Sequence, residues 1–342
     1  MYLDLTHIPI AELNWKLGGI LEIYEKFQGV DPRVNPMNIF PAVHYTMGGL
    51  WADYQRTAAG GLEVGSPRNQ VTSIPNLYAI GECDYQYHGG NRLGANSLLS
   101  CIFTGLFTAP GLVNLLNAQQ GAVSEMEPAM FESERRRHEE IHRDLLKRNI
   151  GGENSYFIHQ QLGDAMTKAA TVVRRNQQLE DAYQTVSELH ERSANCALSD
   201  TGSWTNQNVV FTKALQDMFP IAKSILKGAL QRDECRGAHF KPDFAMPSLD
   251  SMDPADRKAE AEAWCDRFNA NNQKWLKSTV VSWNGTDPDI QYQDVDTSLI
   301  EPRPHLYALV GAEVIMDVWT SRQAEKGNGS AGETAEATTV GS

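Results

Sequence analysis

Apolar residues recur at helical spacing through much of the second half of the chain. Residues three and four positions apart share one face of a helix, so this spacing predicts amphipathic helices. Short connections between such helices favour antiparallel packing, and we therefore expect a helical bundle. Near the N-terminus a similar pattern predicts one or two helices between Thr6 and Gln28, ending at Gly29. The predicted helices of the bundle cover residues 127–149, 154–168, 169–195 and 206–232.

Extended chain is predicted in two stretches of the first third. Residues 39–54 carry aromatic and aliphatic side chains on both sides of a Gly-Gly pair, which favours a hairpin or a bulged strand. Residues 76–80 form a short apolar run bounded by Pro and Gly, which is typical of a buried strand in an α/β sheet. Near the C-terminus we expect a helix over residues 259–268 and small strands at 275–283 and 290–292.

The stretch 81–99 follows the second predicted strand and combines a carboxylate, a glycine-rich loop and a helix start. Glu82 would lie at the carboxyl end of the strand, where open α/β sheets bind ligands. Asn96 or Ser97 can cap an apolar helix, whose N-terminus offers free N–H groups and about half a positive charge. Arg92 lies in the loop between them. This order of parts predicts a binding site for a negatively charged ligand.

The composition limits the classes of function. With 342 residues the chain is long enough for two or three domains of about 100–200 residues each. Its 30 basic and 43 acidic residues give a net charge of −13, which argues against nucleic acid as a partner. The five cysteines lack metal-binding spacing, and we find no signal peptide, no GxGxxG fingerprint and no run of about 18 apolar residues. We therefore expect no metal site and no membrane-spanning segment in the chain.

Two motifs carry a resemblance to a known family: residues 44–49, spelled His-Tyr-Thr-Met-Gly-Gly, and residues 80–99, with their Gly-Asn-Arg-Leu-Gly loop. They are similar to the flavoprotein subunit of succinate dehydrogenase/fumarate reductase, and closest to the bacterial, menaquinone-linked branch. The similarity runs over residues 2–307 and matches only the later part of the family's chain. It implies an α/β plus α fold: the C-terminal part of an FAD-binding Rossmann-like domain, then a helical bundle and a small C-terminal α+β region.

The same resemblance predicts the domain boundaries. In the family, the dinucleotide-binding βαβ unit and the capping domain precede the matched part, so we expect this chain to be a C-terminal portion of a flavoprotein. The expected regions are residues 1–40, the end of the capping region and a linker; 41–115, the C-terminal part of the FAD-binding domain with the substrate loop; 125–240, the helical bundle; 241–321, the small C-terminal region; and 322–342, a disordered tail.

The resemblance also assigns site residues one by one. His44 and Arg92 match residues that bind the substrate carboxylates, and an Arg can hold a carboxylate through two parallel N–H bonds. Glu82 matches a residue that binds a hydroxyl of FAD, and Ser97 and Leu98 match the pair at the flavin's pyrimidine edge. From the residues alone, each could instead be a core or a solvated side chain. We expect no catalytic residue within this chain, since the family's proton-transfer Arg lies upstream.

Two further features stay open between a functional and a structural interpretation. His88 either lines the site or only shapes the loop. In the polar segment 229–239, Arg232, Arg236 and His239 either support the flavin loop or form an ion-pair network with other side chains.

The leading interpretation is a flavoprotein subunit of succinate:quinone oxidoreductase, which oxidises succinate to fumarate, or the reverse, by hydride transfer to N5 of FAD. The resemblance implies an iron–sulfur partner subunit and, through it, a membrane cytochrome b anchor at the cytoplasmic face of the inner membrane. An L-aspartate oxidase-like FAD enzyme is an alternative, because it shares the His-containing turn and the Gly-Asn-Arg loop. A non-catalytic fragment of the flavoprotein is the other alternative.

Overall fold

A computed structural model describes residues 1–40, 42–84, 88–119, 121–148, 152–298, 300–306 and 309–336, with side chains described as far as residue 325. The chain divides into two compact units, Met1–His44 and Tyr45–Ser342, and each is described by itself.

The first unit is one helix packed on a short antiparallel strand pair. Helix α1 ends at Gly29, whose left-handed φ of 68° lets its N–H donate to the carbonyl of Glu25 at 2.8 Å. The predicted helix and its glycine end are confirmed. The elements are β1 (Tyr2–Leu3), α1 (Ile10–Gln28) and β2 (Met37–Asn38). Their buried apolar side chains are Leu5, Leu13, Leu21 and Met37.

The second unit begins with an irregular region, and here two predicted elements are wrong. Residues 76–80 form no strand, because a turn folds them back on residues 70–72. The Thr72 N–H donates to the carbonyl of Leu77 at 2.8 Å, and the Ala79 N–H donates to that of Gln70 at 3.0 Å. A short apolar run does not reveal which segment it pairs with. Here the run pairs with residues 70–72, which immediately precede the turn.

The predicted hairpin in residues 39–54 is also absent from the described part of that range. Leu50 instead forms a single parallel bridge with Asp84, and its N–H donates to the carbonyl of Cys83 at 2.7 Å. Residues Gly81–Cys83 form one turn of 3₁₀ helix, so Glu82 lies in a turn rather than at the end of a strand. The α/β sheet expected in this region is therefore not formed by its described residues.

Helix α2 (Asn96–Ala118) packs on this turn, and the composition of its buried face is unusual. Its buried side is made mostly of small and polar residues, including Ser100, Thr104 and Thr108. Large apolar residues such as Leu98 and Leu106 point outward and are more than 70% exposed. By length and composition α2 could cross a membrane, so the expectation that no segment meets that criterion is wrong.

Four helices and a short parallel strand pair make up the bundle. The four predicted helices are confirmed within a few residues, except that the third begins at Asn176. The bundle elements are α3 (Pro128–Lys147), β3 (Glu153–Asn154), α4 (Ser155–Ala170), α5 (Asn176–Ser193), β4 (Cys196–Ala197) and α6 (Gln207–Gln231). The main core, from α4, α5 and α6, includes the fully buried Ile158, Leu179, Val186, Leu215, Phe219 and Leu226.

A helix, a hairpin and a final helix complete the chain. The predicted helix and both small strands are confirmed as α7 (Pro254–Trp275), β5 (Lys277–Trp283) and β6 (Pro288–Asp294), with β5 and β6 antiparallel. Helix α8 (Ala312–Glu336) runs into the range 322–342, where we expect disorder; residues 337–342 lie outside the described residues. The core between α7 and α8 contains Leu249, Ala261, Trp264, Cys265, Ile315 and Val318.

Candidate active site

The turn that carries Glu82 is joined to the segment after His44. One carboxylate oxygen of Glu82, Oε1, accepts the backbone N–H of Thr46 at 2.9 Å, and the side chain is otherwise exposed. Gly49 lets its own segment approach the backbone of this turn closely, because a Cβ there would lie 2.3 Å from the carbonyl oxygen of Cys83. The motif at residues 45–49 and the motif around Glu82 therefore form one structural piece.

Arg92 lies half-buried over an aromatic ring. Its guanidinium carbon is 5.0 Å from the centre of the Tyr45 ring, a cation–π distance. One of its N–H groups makes a long, 3.3 Å hydrogen bond to the carbonyl of Leu93. Among the described Asp and Glu side chains, none forms an ion pair with Arg92. Its fork of donors is thus positioned but has no anionic partner in the described chain.

Tyr45 is itself held by a triangle of polar groups. The Tyr45 hydroxyl lies 3.2 Å from Nε2 of His88 and 3.3 Å from Oγ of Ser100, and His88 Nε2 lies 3.2 Å from the same Oγ. Ser100 Oγ donates to the carbonyl of Ser97 at 2.8 Å, so it accepts from the other two. The triangle connects the ring under Arg92 to the first turn of α2, and His88 is one of its three members.

The start of α2 is open. The residue before the helix is Ala95, at a left-handed φ of 64°, and no side chain caps the helix. The prediction that Asn96 or Ser97 caps it is wrong, because both are already helical residues. Ser97 is half-buried and Leu98 is 73% exposed. The Asn96 N–H donates to the carbonyl of Leu93 at 3.3 Å, whereas the N–H groups of Ser97 and Leu98 remain available, with the partial positive charge of the helix end, to an acceptor outside the helix.

The second unit brings four of the five predicted site residues into one connected arrangement. Glu82 reaches it through Thr46, Arg92 through Tyr45, and Ser97 through Ser100; Leu98 follows Ser97 in the first turn of α2. His44 is exposed at the end of the first unit. Residues 85–87 of the predicted site stretch lie outside the described residues.

Tyr45 and Ser100 are members of this arrangement that motif reasoning missed. Each has a weak signal in the sequence, because Tyr45 adjoins the candidate His44 and Ser100 lies one helical turn after Ser97. Neither signal predicts that the two hydroxyls meet across 55 residues of chain.

Two family models match the chain, and one of them covers all five predicted site residues. A model described as "FAD binding domain" matches residues 1–98, which include the site. A model described as "Fumarate reductase flavoprotein C-term" matches residues 159–307, from the bundle to the C-terminal region. The succinate dehydrogenase flavoprotein subunit of Bacillus subtilis (strain 168) is 42% identical over 310 residues. The chain belongs to the succinate dehydrogenase/fumarate reductase flavoprotein family.

Solved structures show the fold of this family in the chain. A variant of the Escherichia coli quinol fumarate reductase superposes with a TM-score of 0.68 at 27% identity, over 90% of this chain and 46% of that one. A quinol-fumarate reductase with menaquinol molecules gives a TM-score of 0.65 at 28% identity, over 88% and 46%. The Bacillus relative is matched over 90% of this chain and 46% of its own length. The chain thus spans about half the length of the relatives it matches, and the family is one of FAD-dependent oxidoreductases.

Proposed function

We propose that this chain supplies one wall of the active site of a succinate:quinone oxidoreductase flavoprotein, which converts succinate to fumarate or the reverse. The observation that supports this most strongly is Arg92, a guanidinium fixed over Tyr45 with no carboxylate partner among the described residues. An Arg in this state is ready to bind an external carboxylate through two parallel N–H bonds. The resemblance of its loop to the family's substrate motif supports one end of a dicarboxylate as that ligand.

His44 binds the second carboxylate in this proposal. An imidazole that donates a hydrogen bond to a carboxylate adds to affinity, and two contacts at opposite ends of a short substrate also fix its orientation. Holding both ends would present one methylene C–H bond in a constant direction. The chain's own contribution to the chemistry is therefore binding and orientation, and the proton-transfer residue is expected outside the matched part.

The residues around α2 fit one edge of FAD. The uncapped N–H groups at Ser97 and Leu98 suit a carbonyl edge that gains negative charge, and Oε2 of Glu82 accepts no hydrogen bond from the described residues. Glu82 is exposed and can receive a hydroxyl of the cofactor there. When bound, FAD would supply a hydride acceptor at N5.

The same proposal includes the electron path and the partners. Electrons would leave through an iron–sulfur subunit to a membrane cytochrome b anchor, which would place the chain at the cytoplasmic face of the inner membrane. The match to the fumarate reductase C-terminal model favours this reaction over an L-aspartate oxidase-like enzyme. The remaining alternative, a non-catalytic fragment, is addressed by experiment.

Kinetics of the complete flavoprotein complex test the substrate assignment, with this chain joined to or co-expressed with the part of the family's length that it does not match. Arg92→Ala and His44→Ala should each lower kcat/KM for succinate by about 10- to 100-fold, because a hydrogen bond to a charged group contributes about 1.5–3 kcal/mol. Arg92→Lys should recover only part of the loss, since Lys lacks the planar fork. Arg136→Ala removes a solvated charge on α3 and is the matched control.

Flavin absorbance separates the remaining outcomes. Both variants should keep their FAD, so that the loss lies in reduction by succinate rather than in cofactor content. Normal kinetics in both would refute the carboxylate assignment. If this chain alone binds FAD stoichiometrically and succinate reduces it, the idea that it forms only one wall is wrong.

A further inference from the structure

We propose that residues 234–239, named here the strap, position the loop that carries Arg92 for substrate binding. The strap follows α6 and contacts the loop at Gly90, two residues before Arg92. This inference rests on the proposed function, because it requires that Arg92 bind a carboxylate. It adds a group of positioning residues that are remote in sequence from the motif they serve.

The strap and the loop meet backbone to backbone. The Ala238 N–H donates to the carbonyl of Gly90 at 2.9 Å. A Cβ on Gly237, whose φ is 57°, would lie 2.1 Å from that same carbonyl oxygen, and a Cβ on Gly90 would lie 3.1 Å from Cγ of Arg236. Neither position has room for a side chain without movement of the other segment. The two glycines are therefore required as a pair, for close approach.

A buried carboxylate makes the strap rigid. Glu234 has no exposed surface and accepts hydrogen bonds from Arg232 at 2.6 Å, from Nε of Arg236 at 3.0 Å and from Asn271 at 2.9 Å. The Arg236 guanidinium also donates to the side chain of Asn272 on α7 at 2.9 Å. Because a buried charge is tolerated only when it is paired and hydrogen-bonded, this network holds the strap in one conformation.

The far end of the strap is attached to the bundle. Backbone bonds between Arg236 and His239, at 2.9 and 3.0 Å, close the strap into a tight turn. His239 Nε2 donates to the carbonyl of Arg232 at 2.8 Å, which leaves Nδ1 to accept from Arg174 at 2.7 Å. Arg174 lies after α4 and is itself bonded to the carbonyl of Ala170. The strap thus connects Gly90 to the bundle and to α7.

The loop needs such support because its own sequence provides little. Gly89, Gly90 and Gly94 leave the backbone around Arg92 with many accessible conformations. Tyr45 supports the Arg92 side chain from one direction, and the strap fixes the main chain from another. A misplacement of about 1 Å in a binding group can lower a rate by about 100-fold. A rigid strap therefore serves the orientation of a small dicarboxylate as well as the stability of the fold.

Steady-state kinetics of Gly237→Ala in the complete flavoprotein complex test the proposal. The new methyl group would push the strap away from Gly90, so KM for succinate should rise by about 10- to 100-fold. FAD content and complex assembly should stay at the level of the unmodified protein. Gly163→Ala, in α4, meets no atom within 4 Å and is the matched control. An unchanged KM in folded Gly237→Ala protein would overturn the positioning role.

A double-mutant cycle with Arg92→Ala distinguishes this proposal from the proposed function. If the strap acts through Arg92, Gly237→Ala should have little further effect on KM in the Arg92→Ala background. Full additivity would overturn the strap proposal and leave the function intact. An unchanged kcat/KM in Arg92→Ala itself would instead refute the function.

A second variant covers the case in which Gly237→Ala does not fold. Arg236→Ala removes the Cγ that lies 3.1 Å from the Cβ position of Gly90, together with the bonds to Glu234 and Asn272, and it should also raise KM. Arg236→Lys restores the aliphatic part and the charge and should recover part of the effect. A normal KM in Arg236→Ala would overturn the proposal.

Discussion

The hydrogen bond between Gly81 and Thr104 allows a quantitative test of how α2 holds the Glu82 turn. Thr104 has no exposed surface; its Oγ1 accepts the Gly81 N–H at 3.0 Å and donates to the carbonyl of Ser100 at 2.9 Å. Thr104→Val keeps the shape but removes the acceptor, which leaves the buried Gly81 N–H unpaired. A buried donor without a partner costs about 1–3 kcal/mol, so the free energy of unfolding should fall by that amount.

Thr108→Val is the matched control for this change. Thr108 is 4% exposed on the same face of α2, but its hydroxyl donates only within the helix, to the carbonyl of Thr104. Removing it orphans no buried N–H, so we expect a loss below about 1 kcal/mol. The difference between the two variants isolates the Gly81 bond.

Urea unfolding and amide hydrogen exchange together measure the Thr104 effect. The midpoint of Thr104→Val should shift to lower urea with an unchanged slope, and the amide of Gly81 should exchange faster than in Thr108→Val. The exchange measurement also detects a purely local opening of the turn. Equal unfolding free energies for the two variants, with equal exchange at Gly81, would refute the claim that this bond fixes the Glu82 turn.

Two further predictions concern the bundle and its end. Leu226→Ala in the core should lower the free energy of unfolding by about 2–5 kcal/mol, whereas Ile225→Ala, at 46% exposed, should cost far less; urea unfolding of both compares them. Burial lowers the pKa of His239 to about 4, so its stabilising effect is fully present above about pH 6.5 and is lost as the pH falls toward 4. His239→Gln should flatten this slope of the unfolding free energy, and an unchanged slope would contradict the assignment.

Helical parts of the fold were predictable because their evidence is local. In α6, apolar residues at helical spacing face the core, and Asn206 accepts N–H bonds at the helix start. Gly29 ends α1 for an equally local reason, since it adopts a left-handed φ without strain. Residues 76–80 show the opposite case: β-type composition is present, but the pairing that makes a strand is decided elsewhere in the chain.

The residues of the candidate site also differ in whether their evidence is local or depends on distant contacts. Arg92 and Glu82 are found from a contiguous motif, because their chemistry depends on residue type and on short spacing. Tyr45 is not found in this way. For the strap, the sequence leaves loop support and an ion-pair network as alternatives, because the contacts that decide between them join distant segments. Gly237 is an example, because only the structure shows that its missing side chain makes room for Gly90.

The composition of α2 does not distinguish a core helix from a membrane span, but its contacts do. A core helix and a membrane span both satisfy a test of length and apolarity, and α2 passes that test. However, a Cβ on Gly111 would lie 2.4 Å from the carbonyl oxygen of Ser66, and Thr104 binds the Gly81 amide. Crossing a membrane would break both contacts and expose the Gly81 N–H group. These contacts favour a core helix that packs on its own chain through its small residues.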